Sequence, residues 1–178
     1  MFKLISKTIA AIAIVSVALF GSANAKTLKI ETHFTASSPN GEVAAQFAKN
    51  VEIFSGGSLK VEMFYSSSVT GKSAEVFNSA QTGIIDCDMT GAGYQTGKNA
   101  AFQFAGDVMG GYDNPYQQYD FLKFPGAQEA VDALYNKYGM TLIGWWIPGH
   151  ESLISSKPIP DVASIKDFKF RSPPGMES

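Results

Sequence analysis

The chain has 178 residues, 14 lysines and arginines against 16 aspartates and glutamates, a net charge of −2, and one cysteine, Cys87. A mildly acidic surface excludes nucleic acid and anionic membrane as natural partners, and a lone thiol excludes an internal disulfide. Lys3 and Lys7 precede an apolar run from Ile9 to Phe20, and Ala23-Asn24-Ala25 follows it, the three-part pattern of a secretory signal peptide cleaved before Lys26. The run is too short to span a bilayer, no later segment is long and apolar enough, and a lipid anchor would need a cysteine at the cleavage site. The expected product is an exported, periplasmic protein with a net charge of −4.

Thr27 to Phe34 alternates apolar and polar residues and predicts a strand. Ser37-Ser38-Pro39-Asn40-Gly41 turns the chain and offers Asn40 as a helix N-cap. Val43, Phe47, Val51 and Phe54 then recur at helical spacing until Gly56-Gly57. Leu59 to Tyr65 predicts the next strand. Ser73 caps a second helix carrying Val76, Phe77 and Ala80, Gly83 closes it, and Ile84 to Thr90 predicts a third strand. Strand, helix, strand, helix, strand implies parallel pairing in an α/β sheet.

Gly91-Ala92-Gly93-Tyr94-Gln95-Thr96-Gly97 follows the third strand, at the end of an α/β sheet where ligands bind. A dinucleotide fingerprint would need glycine at Thr96 and a place after the first strand, so this is no nucleotide loop. Ala101 to Gly111 carries no assignable period. Asn114-Pro115 opens a helix to Phe124 whose aromatics Tyr116, Tyr119 and Phe121 are expected to pack in the core. Pro125-Gly126 breaks it, and a further helix carries Ala130, Val131, Leu134, Tyr135 and Tyr138 up to Gly139. Met140 to Ile147 predicts a strand buried on both faces. Pro148-Gly149 turns into another strand, Glu151 to Lys157. A Pro-Ile-Pro linker and a short helical stretch lead to a last strand, Lys169 to Ser172, where Phe168 and Phe170 alternate with Lys169 and Arg171 before Pro173-Pro174-Gly175. The composition shift at Pro148-Gly149 predicts a lobe covering 26–148 after a signal peptide at 1–25, then a crossover and the incomplete start of a second lobe over 149–178. The abrupt end after that last strand reads as a fragment of a longer protein.

Residues able to do chemistry are few. Arg171 is the only arginine in the chain, so it alone presents a planar fork of donors to a carboxylate. On its residue type it is equally a surface charge. Asp86 and Asp88 share a strand face as a pair of carboxylates or, more simply, as solvated strand-end charges. His33 is a turn residue or a ligand contact, and His150-Glu151 follows a Pro-Gly turn that favours a cleft. No Gly-x-Ser-x-Gly, His-Glu-x-x-His or Cys-x-x-Cys is present.

Leu59-Lys60-Val61-Glu62-Met63-Phe64, Glu75-Val76-Phe77-Asn78, Ile85-Asp86, the stretch Gly91 to Lys98, and Ser164-Ile165-Lys166-Asp167-Phe168-Lys169-Phe170-Arg171 together resemble the DctP-type solute-binding proteins of tripartite ATP-independent periplasmic (TRAP) transporters. The resemblance covers 26–178. It implies a two-lobed, periplasmic-binding-protein-like α/β fold, here the first lobe and the start of the second, that closes on a small organic acid. It implies that Arg171 grips the carboxylate, that Tyr94 stands on the pocket wall, and that the His33-Phe34 turn lines the pocket. Trp145 or Trp146 would add an apolar wall. The chain departs from the family in lacking a glycine and an apolar residue between Phe168 and Lys169. It also carries Glu151 where relatives tend to have arginine or glutamine. A carboxylate there must be protonated, pair with Arg171, accept hydroxyl groups, or hold a cation against the ligand.

The resemblance thus implies a receptor that catalyses nothing, needs no cofactor beyond such a metal cation, and delivers its solute to the membrane permease subunits of a secondary transporter. Two alternatives are a receptor for an ATP-driven importer, which shares the architecture, and an exported α/β hydrolase or isomerase using His150 or Glu151.

Overall fold

The structure, a computed structural model, describes residues 25–106, 108, 110–147 and 152–172. The residues before Ala25 that the sequence predicts as a signal peptide, the predicted boundary at Pro148-Gly149, His150, Glu151 and Pro173-Pro174-Gly175 lie outside the described residues.

Three parallel strands form the sheet, in the order β2-β1-β3: β1 is Lys26–Thr32, β2 is Leu59–Phe64 and β3 is Cys87–Met89. β1 pairs with β2 from Lys26↔Leu59 to Glu31↔Phe64, and with β3 from Ile30↔Cys87 to Thr32↔Met89. The predicted third strand is shortened at its start. Gly83, at φ +77°, turns the chain, and Ile84 and Ile85 donate their amides to Ser79 O before the ladder begins.

Helix α1, Pro39–Phe54, crosses from β1 to β2. Its cap is Ser38, not Asn40: Pro39 starts the helix with φ already fixed and no N–H to satisfy, so the Ser38 hydroxyl accepts from Gly41 N at 3.1 Å. Its buried face is narrower than the predicted stripe. Gly41 and Ala44 are buried, whereas Val43 and Phe54, at its ends, are exposed. Glu52 ties the helix to β2, accepting from Val61 N at 3.1 Å and pairing with Lys60 at 3.8 Å. Gly56 and Gly57, both at positive φ, stop it.

Helix α2, Val76–Gln81, follows a single 3-10 turn, Ser73–Glu75. Ser73 does not cap it; its hydroxyl lies 3.3 Å from that of Ser67. Phe77 enters the main core with Ala92, Phe102, Ala105, Val131 and Leu134, its ring edge-on to Phe102 at 5.8 Å. Phe102 sits on a 3-10 helix, Ala100–Ala105, in the stretch whose sequence carried no period.

Helix α3, Pro115–Lys123, is capped by Asn114, whose Oδ1 accepts from Tyr116 N and Gln117 N at 3.0 and 3.1 Å. The expectation that its aromatics are core residues is wrong. Tyr116, Tyr119 and Phe121 are exposed, because the inward face is set by Gln118, bonded to Gly106 O at 2.6 Å, and by Leu122, four residues on. Helix α4, Ala127–Asn136, buries Val131 and Leu134 and ends before Gly139 at φ +70°.

None of the three later predicted strands is paired among the described residues. Residues 140–147 are extended and carry no ladder; Met140, Leu142 and Trp145 pack on the core, while Ile143 is exposed. Residues 152–157 and 169–172 are likewise without strand pairing. Apolar alternation specifies a face, but a strand also needs a neighbouring edge to bond, and no described strand runs alongside these segments. The short helical stretch is a 3-10 turn, Val162–Ile165, capped by Asp161.

Candidate functional site

The carboxyl ends of the three strands converge on one edge of the sheet, where open α/β folds hold ligands. β1 runs into His33-Phe34, β2 into the loop 65–72, and β3 into Gly91 and a 3-10 turn, Ala92–Gln95. The loop is bonded back to β1: Ser66 N donates to Phe34 O at 2.9 Å and Ser67 N to Thr32 O at 3.1 Å. Ser66 and Ser67 hold φ of 56° and 51°, a left-handed conformation that non-glycine residues keep only when their surroundings fix it.

His33 is the centre of this edge. Its ring lies 4.0 Å from Phe34 and stands edge-on to Tyr94 at 5.4 Å, and Phe34 in turn stacks on Trp146 at 5.2 Å. The histidine Nδ1 is sealed from solvent with no hydrogen-bond partner. Burial first, and the positive charge of Arg171 second, hold the His33 pKa below its ordinary 6.5, so the imidazole is neutral at pH 7. Arg171 itself is exposed, and no carboxylate among the described residues forms an ion pair with it. A cation without a counter-charge among the described residues, a neutral imidazole with a free nitrogen and a tyrosine, beside stacked aromatic rings, can meet an anion that has a small apolar body.

Of the residues expected to bind, His33 and Tyr94 are neighbours, Arg171 is exposed with its charge felt at His33, and Glu151 lies outside the described residues. The two tryptophans separate: Trp146 faces Phe34 and Trp145 packs on the core. Cys87 is half-buried and its thiol is pushed up, by burial first and then by Asp86, which suits an inert thiol better than a nucleophile.

Asp86 and Asp88 are not a matched pair of solvated charges. Asp86 is exposed and its carboxylate accepts from Lys29 N at 2.8 Å. Asp88 Oδ1 is buried without a partner, and burial drives its carboxyl up to about 6, with the neighbouring Glu31 charge pushing the same way and Thr90 opposing. Glu31 itself was read only as one polar position of the first strand, yet it is fully buried. The available signal is its place in the register: Lys29, Glu31 and His33 share one strand face, and His33 is a candidate site residue.

A family model for bacterial extracellular solute-binding proteins, family 7 (DctP), matches residues 30–177. The chain belongs to the DctP family. Among solved structures, an apo, open TRAP periplasmic solute-binding protein from Rhodobacter sphaeroides is similar at 27% identity with a TM-score of 0.62, over 66% of this chain and 37% of that one. One from Pseudoalteromonas atlantica, with bound sodium and pyruvate, is similar at 20% identity and a TM-score of 0.60, over 65% and 35%. A third, from Bordetella bronchiseptica, with calcium and picolinate, shares 21% identity at a TM-score of 0.58, over 64% and 34%. The DctP chain described here therefore has the periplasmic-binding-protein-like α/β fold and spans about a third of the length of these structures. These relatives are solute-binding proteins.

Proposed function

We propose that this DctP protein is a periplasmic receptor that captures a small organic acid and delivers it to the membrane subunits of a TRAP transporter. The observation that carries the reading is the half-buried His33 standing against Tyr94 at the carboxyl ends of parallel strands, within the electrostatic reach of Arg171, a guanidinium without a counter-charge among the described residues. The fork would take the carboxylate in two parallel charge-assisted hydrogen bonds, His33 and Tyr94 would meet the remaining polar groups, and Phe34 stacked on Trp146 would face the apolar body. Two of the similar structures hold small carboxylates, pyruvate and picolinate, each with a cation, sodium or calcium. Among the described residues no cluster of three or more His, Cys, Asp or Glu could hold a metal, so a cation here would need the ligand's own oxygens and a further group such as Glu151. In this reading residues 1–25 are a cleaved signal peptide, 26–148 form the first lobe, and 149–178 begin the crossing to the second.

The experiment is a thermal-shift and calorimetric screen of the protein against pyruvate, picolinate and related small acids, repeated on Arg171→Lys. The substitution keeps the charge and removes the fork, and should weaken the best ligand about 100-fold. Unchanged affinity in that variant counts against Arg171 as the carboxylate anchor, and turnover of a bound acid counts against a receptor that only binds.

A further inference from the structure

Glu31 and Asp88 are in-register neighbours on the adjacent parallel strands β1 and β3, so their side chains leave the same face of the sheet. Glu31 is 0% exposed. Its Oε1 accepts from Val69 N at 2.6 Å and from Thr70 N at 3.4 Å, which pins the loop after β2. Its Oε2 is buried and without a partner, and so is Asp88 Oδ1; Thr90 favours the charged form of Asp88 through hydrogen bonding, against the larger effect of burial. The titratable groups around Asp88 and Glu31 are Tyr135 on α4, Cys87 next to Asp88 on β3 with Asp86 beyond, and Lys29 on β1 and His33 just past its end, two residues to either side of Glu31 on the same face. Tyr135 is itself pushed up, by burial and then by the Asp88 charge. Among the described residues neither Glu31 nor Asp88 has a cation within ion-pair distance.

Two carboxylates in such surroundings resist being ionised together, and a proton on one gives the other's free oxygen a donor. The buried unpartnered oxygens are then accounted for without an added ligand. We propose that a proton kept on Asp88 bonds it to the free oxygen of Glu31 and that the two act as positioning residues for the site, locking the loop 65–72 against the His33-Phe34 turn. The same loop donates to Thr32 O and Phe34 O, so whatever loosens Glu31 loosens the wall that His33 and Phe34 form. Losing the proton sets two negative charges side by side, and the strain is relieved by moving Glu31 away from Val69. The wall is therefore ordered at mildly acidic pH and loosens as pH rises. Its relevance to a ligand rests on the receptor reading above, but the lock itself does not.

The test follows the Asp88 carboxyl carbon by NMR from pH 4 to pH 9, together with hydrogen exchange of the Val69 amide, in the full chain and in Glu31→Gln and Asp88→Asn. In the unmodified protein Asp88 titrates well above 4, and the Val69 protection factor, corrected for intrinsic exchange, falls by roughly fiftyfold between pH 4 and pH 8. Glu31→Gln, which puts an amide donor where the repulsion was, lowers the Asp88 midpoint by about one unit or more. Asp88→Asn makes Val69 protection independent of pH and carries the test alone if Glu31→Gln does not fold. An Asp88 midpoint unmoved by Glu31→Gln, or the same pH course of Val69 protection in Asp88→Asn as in the parent, overturns the proposal. Because pyruvate and picolinate binding are not among these readouts, failure of the receptor reading leaves this result standing, and the reverse.

Discussion

Asparagine at position 88 copies the shape of a protonated aspartate and cannot ionise, so Asp88→Asn isolates what the buried carboxyl does to stability. In the unfolded chain Asp88 releases its proton around 3.8; in the fold it keeps it to about 6. Between those values the folded state carries a proton that the unfolded state lacks, so stability is full below 3.8 and is lost as pH rises through about 6. At about 1.4 kcal/mol per pH unit, the loss comes to about 3 kcal/mol by pH 8. Most of a small domain's reserve is only a few times larger, so the effect is measurable by urea denaturation. Unfolding free energies of the parent and Asp88→Asn, taken at pH 4, 6 and 8, should diverge by about 3 kcal/mol in favour of the variant across that range. Comparing the two proteins cancels the other titrating groups. A difference that stays constant from pH 4 to pH 8 would refute the claim that Asp88 is held protonated by its surroundings.

Arg171→Gln removes the charge that lowers the His33 pKa, so the imidazole midpoint read by NMR should rise; a midpoint that stays put would place the guanidinium away from His33. In the parent, the lowered His33 pKa makes folding less favourable as pH falls through 6.5, since the unfolded chain takes up that proton first, and Arg171→Gln should shrink this loss. Gly41→Ala would drive a Cβ onto the Thr35 carbonyl oxygen and to 2.8 Å from Ala36 O, both backbone atoms. It should cost about 1–3 kcal/mol in chemical denaturation despite the better helix propensity of alanine, and should weaken ligand binding by displacing the turn after His33. Asn114→Ala removes the side-chain acceptor for two amides of α3 and should cost about 1 kcal/mol in the same assay.

Much of the chain's organisation was readable because local chemistry and tertiary structure agree there. Alternation in Thr27–Phe34 and Leu59–Tyr65, with helical spacing between them closed by glycines, leads directly to parallel β1 and β2 joined by α1. The Asn114-Pro115 start of α3 and the Gly139 stop after α4 were equally explicit. Where the reading failed, the deciding partner was distant in sequence. Residues 140–147 have a strand's composition, but no strand among the described residues lies beside them to make the ladder. Tyr116, Tyr119 and Phe121 looked like core by residue type, whereas the neighbour of α3 is reached by Gln118 and Leu122. His33 and Tyr94, which the family resemblance implies for the pocket, do lie side by side, but the loop 65–72 beside them carries no sequence signal. Its left-handed serines donate their amides to the carbonyls of Phe34 and Thr32, more than thirty positions away.

Glu31 shows the limit of alternation most clearly. The period of two in Leu28-Lys29-Ile30-Glu31-Thr32 says that Lys29 and Glu31 share a face, and the usual inference is that a charged face meets water. Lys29 obeys and is exposed; Glu31, one step further along, is fully buried beside Asp88. The strand therefore passes from solvent into the molecule along its length, and its polar face becomes the floor of the edge on which His33 stands. A carboxyl group buried there for stability alone would be a poor choice, since burying an acid without a cation costs more than it returns. What the arrangement does supply is an anchor for Val69 and Thr70 that an apolar residue could not provide, and with it a fixed loop beside the Phe34-Trp146 wall. The site's rigidity is thus obtained from a group whose charge state is conditional, and an ordered wall at one pH and a looser one at another follow from the same two side chains.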